Sequence, residues 1–259
     1  MKYQDIRYEI RDEAAWITID RPKVYNAVRT QTLHELSSAV AEADDAPVAS
    51  IVLTGAGEKA FCTGGDLAEM RAFDTAGSRA FLRAFANTVQ ALRGAGKPVI
   101  ARVDGFCLGG GNELNVACDL TVASDRSQFG QVGATVGSAP VIGATQLLPR
   151  IVGEKRAREI VFLCRRYAAE EAMRMGLVNR VVPAGALDAA VGEWTARLAE
   201  LSSQSLRIAK LSLNSGGDEL APSISHGVEL LVQAFGTEEF REGVAAFVEK
   251  RKPDFRRFR

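Results

Sequence analysis

Residues 107–114 read CLGGGNEL. Three residues without side chains stand directly before a polar pair, Asn112 and Glu113. A buried-strand pattern, PVIARVDG at 98–105, leads into these glycines, and the residues after them read as a helix. The same construction occurs earlier, where VASIVLTG at 48–55 precedes the glycine loop CTGGDL at 62–67 and a helix beginning near Leu67. A helix N-terminus presents unpaired backbone N–H groups and a partial positive charge. Glycine lets a ligand approach that backbone closely. One N–H from each loop, aimed at a single oxygen, makes an oxyanion hole suited to an enolate or a tetrahedral intermediate. One glycine loop alone would read first as a tight turn of an α/β fold; two matched loops favour the ligand reading. A phosphate site is not indicated, because GxxxxGK[ST] is absent and GGGNEL lacks the third glycine of GxGxxG.

Outward from these loops the chain alternates strands and helices. IRYEIRDEAAWITID reads as two strands with a turn at Asp12–Glu13. Leu33, Leu36, Val40 and Ala43 predict a helix over 30–43, and Phe81, Phe85, Val89 and Leu92 predict an amphipathic helix over 78–95. DLTVAS is a strand, FGQVGATVGSAP a loop, 143–176 mostly helical, and LVNRVVP a last strand. From Ala186 only helical periodicity appears, near 186–200, 202–213, 222–235 and 237–250. The expectation is an α/β body at 1–195 and an all-helical region at 196–259.

The chain has 259 residues, 47% hydrophobic and 25% charged, which suits a globular protein with a substantial core. Lysine and arginine number 32 and so do aspartate and glutamate, which argues against nucleic-acid binding by bulk charge. No apolar run approaches the roughly 20 residues of a bilayer span. The polar start MKYQDIRYEIRDEAAW does not read as a signal peptide, so a cytoplasmic location with reduced thiols is expected. Cys62, Cys107, Cys118 and Cys164 form no CxxC pair, and with only His34 and His226 no metal site is expected. Neither histidine stands near a nucleophile motif, so a Ser/His/Asp triad is not indicated. Cys62 and Cys107 read as buried small apolar residues.

The stretches ITIDRPKVYNA, AFCTGGDL, DGFCLGGGNELNVACDLTVAS, FGQVG, GATQLLPRIVG, AMRMGLVNRVV and FVEKRKPDF together resemble the enoyl-CoA hydratase/isomerase, or crotonase, superfamily across nearly the whole chain. The resemblance implies a spiral of β-β-α units with a C-terminal helical region that mediates a homotrimer, often paired into a homohexamer. It implies an acyl-CoA thioester as substrate, its carbonyl held by the N–H groups of Gly65 and Gly110. It places CoA against Lys23, Val24, Ala60, Thr63, Gly64, Asp66, Leu108 and Gly109, with Lys250 of the basic tail meeting the CoA phosphates, including those bound by a neighbouring subunit. Read by itself, Asp66 is a helix cap, and Gln131 is expected to bond loop backbone. The remaining tail cations are Arg251, Lys252, Arg256, Arg257 and Arg259.

Hydratases of this family carry two glutamates that hold one water as base and acid. Glu113 matches the first; the second position falls on Gly133. FGQVGATVGS resembles the naphthoate synthase branch, in which that glycine leaves room for a bicarbonate base and a serine at the Ser138 position assists. That branch carries an aspartate at the position of Pro140, a tyrosine at the position of Phe235, and no glutamate at the position of Glu113. The sequence therefore joins a hydratase acid to a ring-substrate loop. The expected activity is a hydro-lyase, Glu113 alone serving an enoyl-CoA or cyclic dienoyl-CoA, with a roomy Gly133 site accepting a ring. Ring opening or closing with Ser138 assisting, isomerisation, and a non-catalytic RNA-binding member are the alternatives. No permanently bound cofactor is expected beyond the coenzyme A of the substrate; bicarbonate belongs to the ring-closing alternative.

Overall fold

The computed structural model describes residues 3–215 and 220–258. Strands β1 (Ile6–Arg11) and β2 (Ala14–Ile19) form an antiparallel hairpin. Its turn residues Asp12 and Glu13 take φ of 45° and 61°, the left-handed pair that a two-residue hairpin needs. Helix α1 (Thr30–Asp45) buries Leu33, Leu36, Ala39, Val40 and Ala43, the stripe its spacing predicts.

Three units of long strand, short strand and helix follow. The first is β3 (Ser50–Gly55), β4 (Ala60–Cys62), the one-turn α2 (Leu67–Met70) and the long α3 (Thr75–Gly94). The second is β5 (Val99–Val103), β6 (Phe106–Leu108) and α4 (Gly110–Ala117). The third is β7 (Leu120–Ser124), β8 (Gln128–Gly130) and α5 (Ala144–Val152). The chain continues through α6 (Glu154–Leu163), β9 (Tyr167–Ala168), α7 (Ala169–Arg174) and β10 (Arg180–Val182). It ends in α8 (Leu187–Ala199), α9 (Ser203–Ser215), α10 (Leu220–Phe235) and α11 (Glu238–Val248).

The long strands build a six-stranded sheet, β1-β2-β3-β5-β7-β10, parallel from β2 onward. The short ones build a second sheet, β4-β6-β8-β9, so the winding chain feeds both sheets in turn. The segment read as a loop at 129–140 thus contains most of β8 and a short 3-10 turn at Gly133–Val136. Likewise, three-residue strands stand before both glycine loops.

Side chains alternate across each long strand. Ile17, Ile51, Leu53, Val99 and Ala101 enter the main core, whereas Trp16, Val52, Ile100 and Val122 pack against Leu187, Ala190 and Val191 of α8. Burial on both faces explains why these strands read as unbroken apolar runs. The C-terminal helices share the main core through Ile224, Val228, Leu231, Val232, Phe235, Phe240 and Val244. The expected boundary between residues 195 and 196 falls within α8. No helix among the described residues is long and apolar enough to cross a membrane.

Candidate active site

The two glycine loops touch. A Cβ on Gly64 would lie 2.9 Å from the Gly110 nitrogen, and Gly64 has φ of +99°, so this position excludes a side chain twice over. Gly111 is as tightly placed, its absent Cβ directed at the Cys62 carbonyl oxygen 2.0 Å away. Gly110 opens α4, where the first N–H groups have no intrahelical acceptor. Across the loop, Val28 N–H donates to the Gly64 carbonyl and Asp66 N–H donates to the Val28 carbonyl, both at 2.8 Å. Val28 thereby bridges residues on either side of Gly65, and the Gly65 N–H faces away from it.

Glu113 sits in the first turn of the helix that Gly110 opens and is only 5% exposed. Ile142 N–H donates to its Oε1 at 2.8 Å, and Ala144 N–H also hydrogen-bonds the carboxylate. Burial raises its pKa to about 8, against the pull of those two N–H groups. A buried acid poised near neutrality beside backbone donors is equipped to take up and return a proton.

A model of the enoyl-CoA hydratase/isomerase family matches residues 9–257. The chain belongs to this family. It is similar to an enoyl-CoA hydratase from Mycobacterium avium subsp. paratuberculosis K-10, with 27% identity over 98% of this chain and 99% of that one, at a TM-score of 0.90. An enoyl-CoA hydratase/isomerase from Xanthobacter autotrophicus Py2 shows 32% identity, with 96% and 97% of the chains covered and a TM-score of 0.87. An enoyl-CoA hydratase from Bacillus anthracis shows 31% identity, with 97% and 99% covered and a TM-score of 0.79.

In this enoyl-CoA hydratase/isomerase family member, the position that the resemblance assigns to a second glutamate is not open space. A Cβ on Gly133 would lie 3.0 Å from the Ser138 carbonyl oxygen, and Ser138 N–H donates to the Gly133 carbonyl at 2.9 Å. The roominess expected at Gly133 is therefore taken up, in the Cβ direction, by the loop itself. Ser138 is half-buried beside it. Gln131 departs from expectation too: it is 1% exposed, and neither atom of its amide has a hydrogen-bond partner among the described residues. Burial raises the pKa values of the Cys62 and Cys107 thiols, in keeping with an apolar packing role.

Of the expected CoA contacts, Lys23 and Ala60 line one cavity of about 360 Å³, together with Tyr25, Asn26 and Lys59. Val24 is exposed, and the Thr63 hydroxyl donates to the Tyr25 carbonyl at 3.3 Å. Gly109 N–H donates to the Gly130 carbonyl at 2.9 Å, and Leu108 is buried. Asp66 is the helix cap that its residue type suggests: Oδ1 caps Ala68 N–H at 3.0 Å and Oδ2 pairs with Arg21 at 2.9 Å, so its carboxylate is committed to holding α2. Lys250 follows the end of α11, exposed, and lines neither this cavity nor the larger one described below. Arg259 and the side chains of Arg256 and Arg257 lie outside the described residues.

Sequence reasoning passed over Arg21 and Asn26. Buried Asn26 accepts from Arg21 N–H at 3.0 Å and donates to the Ala56 and Ala60 carbonyls at 2.9 and 2.6 Å. It pins the RPKVYNA loop to the β3–β4 turn and so shapes the Lys23 cavity. An asparagine followed by small apolar residues was the available signal, but its role depends on a partner loop thirty residues on.

Proposed function

We propose that this chain is an enoyl-CoA hydratase that works with one carboxylate. The Gly65 and Gly110 N–H groups receive the thioester oxygen. Glu113 takes a proton from water as the water oxygen bonds to Cβ of the enoyl group. The electron pair of the double bond moves through Cα onto the thioester oxygen, giving an enolate held by the two N–H groups. Glu113 then returns its proton to Cα. The observation that carries this reading is Glu113 itself, oriented by Ile142 N–H and poised by burial near pH 8.

The substrate range includes cyclic dienoyl-CoA, and coenzyme A enters with the substrate rather than as a resident cofactor. A homotrimer or homohexamer in the cytoplasm is part of the same reading. Exposed Ile208, Leu211, Phe247 and Val248 on the C-terminal helices support the assembly.

The lone carboxylate equally supports isomerisation, in which Glu113 moves a proton between carbons of the acyl chain. Mass spectrometry of crotonyl-CoA, a cyclic dienoyl-CoA and a 3-enoyl-CoA after incubation separates the two. Hydration adds one water; isomerisation changes the double bond without changing mass. Because the ionised carboxylate is the base, kcat/KM should rise through an apparent pKa near 8. Glu113→Gln should fold, bind acyl-CoA, and lose about 10²–10⁴-fold in turnover. Wild-type turnover in that variant would remove Glu113 from the mechanism.

A further inference from the structure

A second cavity, of about 570 Å³, lies beside the glycine pair. It falls within the roughly 300–1,000 Å³ of pockets that enclose drug-sized ligands, well beyond the needs of a four-carbon acyl chain. Met70 joins the two places. A Cβ on Gly65 would lie 2.6 Å from the Met70 sulfur, and the same side chain lines the cavity. Phe81 makes a parallel connection, 3.2 Å from that Cβ position and 5.5 Å between ring centroids from Phe73, which also lines the cavity. Met70 and Phe81 thus form the apolar wall between Gly65 and the cavity, and the side chain common to both places is a flexible thioether.

The cavity's walls and its charges differ in character. Phe235 and Phe240 stack at 4.3 Å, flanked by Val232 and Val244. Three charged side chains also line it: Asp74, Arg241 and Arg71. The Asp74 carboxylate caps Gly77 N–H at 2.7 Å, and Arg241 pairs with Glu238. Arg71 is exposed and has no ion pair among the described residues. An aromatic-walled cavity that only the Met70 side chain separates from Gly65 therefore carries an uncommitted guanidinium.

We propose that this cavity receives the distal part of the acyl group and that Arg71 selects acyl groups ending in a second carboxylate. The proposal rests on the acyl-CoA reading above. A guanidinium offers a planar fork that matches a carboxylate, and an apolar cavity offers a methyl-ended chain no such contact. The cavity that the resemblance assigns to CoA, lined by Lys23 and Lys59 with Glu58, is a separate one.

The test uses the full chain and matched substrate pairs. One member is trans-2-hexenedioyl-CoA (the monothioester); the other is 6-methyl-2-heptenoyl-CoA, in which an isopropyl group replaces the carboxylate. A ten-carbon pair built the same way extends the reach. Wild type should favour the carboxylated member by about tenfold in kcat/KM, mainly through KM, a charge-assisted bond being discounted for exposure. The preference should shrink with added salt, vanish in Arg71→Met and return in part in Arg71→Lys. Equal turnover of both members by wild type, or a preference that survives Arg71→Met, would overturn the selection while leaving the hydratase reading intact. Calorimetry with free CoA and with the saturated pair gives an independent arm. Arg71→Met should weaken only the carboxylated thioester, and equal weakening of free CoA would make Arg71 a phosphate contact instead. Failure to hydrate either pair would count against the hydratase reading, and the calorimetric comparison would still decide the role of Arg71.

Discussion

Glu113 carries a cost that its proposed role requires. Its ordinary pKa of 4.5 rises to about 8 in the fold because burial disfavours the charged form more than Ile142 and Ala144 N–H favour it. A folded-state pKa above the unfolded one means that the fold binds the proton more tightly. That contribution to stability is fully present below about pH 4.5 and is lost as pH rises through about 8. Glu113→Gln, which cannot ionise, should therefore gain on wild type as pH rises, by about 4 kcal/mol between pH 5 and pH 9 if the full shift operates. Urea unfolding at the two pH values reads the difference. An unchanged gap would mean that Glu113 is ionised throughout. At this scale the sequence was informative where residue type alone limits what can be there. The meeting of the two glycine loops at Gly64 and Gly110 was legible because few other residues serve at a close backbone approach, and so was Glu113 in the first turn of the helix that follows. The Asp66 cap was legible too, but not its pairing with Arg21, from a loop 45 residues away, nor the buried environment that leaves the Gln131 amide unpartnered among the described residues.

Elements were legible in proportion to their length. Helices α1, α3, α8, α10 and α11 repeat their apolar spacing several times, so their bounds fall within a few residues of expectation. Strands β4, β6 and β8 have three residues each, too few for a period, and their pairing partners lie in other units. Periodicity also says nothing of what fastens a helix once formed. Helix α9 is fastened by Lys210, which is 5% exposed. Its Nζ donates to the Leu92 and Lys97 carbonyls at 3.0 Å each and pairs with Asp119 at 2.7 Å. Asp119 also accepts from Val99 N–H at 2.7 Å, which ties α9 to the end of α3 and the start of β5. Asn214 adds a bond to the Arg93 carbonyl at 2.9 Å. Lys210→Met would keep the apolar stem and strand Asp119 and two carbonyls. It should lower unfolding free energy by about 2–4 kcal/mol, since breaking a buried ion pair costs more than the pair contributes. Denaturant unfolding checks this, and a loss under 1 kcal/mol on the same measurement would mean that water replaces the ammonium at little cost.

Across the whole molecule, the C-terminal helices have two kinds of apolar face. One is internal: α10 and α11 place Ile224, Val228, Leu231, Phe235, Phe240 and Val244 in the main core. The sequence reading separated residues 196–259 because their periodicity is purely helical, and periodicity shows a stripe without showing what lies opposite. The other face is external. Ile208 is 59% exposed and Leu211, one turn on along α9, 48%; at the far end of α11, Phe247 and Val248 are 61% and 51% exposed. Scattered exposed apolar residues need no explanation, but a pair on neighbouring turns of α9 and two consecutive residues at the end of α11 mark a surface that gains by burial. For the proposed homotrimer this surface supplies the contact, and each buried side chain contributes about 1.5–3 kcal/mol to it. Ile208→Glu combined with Leu211→Glu should leave the monomer folded, because neither side chain is in the core. It should shift the sedimenting species from three or six chains toward one at micromolar concentration. If the double variant keeps the wild-type mass, α9 lies outside the contact and the α11 pair becomes the face to change. A wild type that already sediments as one chain would remove the assembly from the reading altogether.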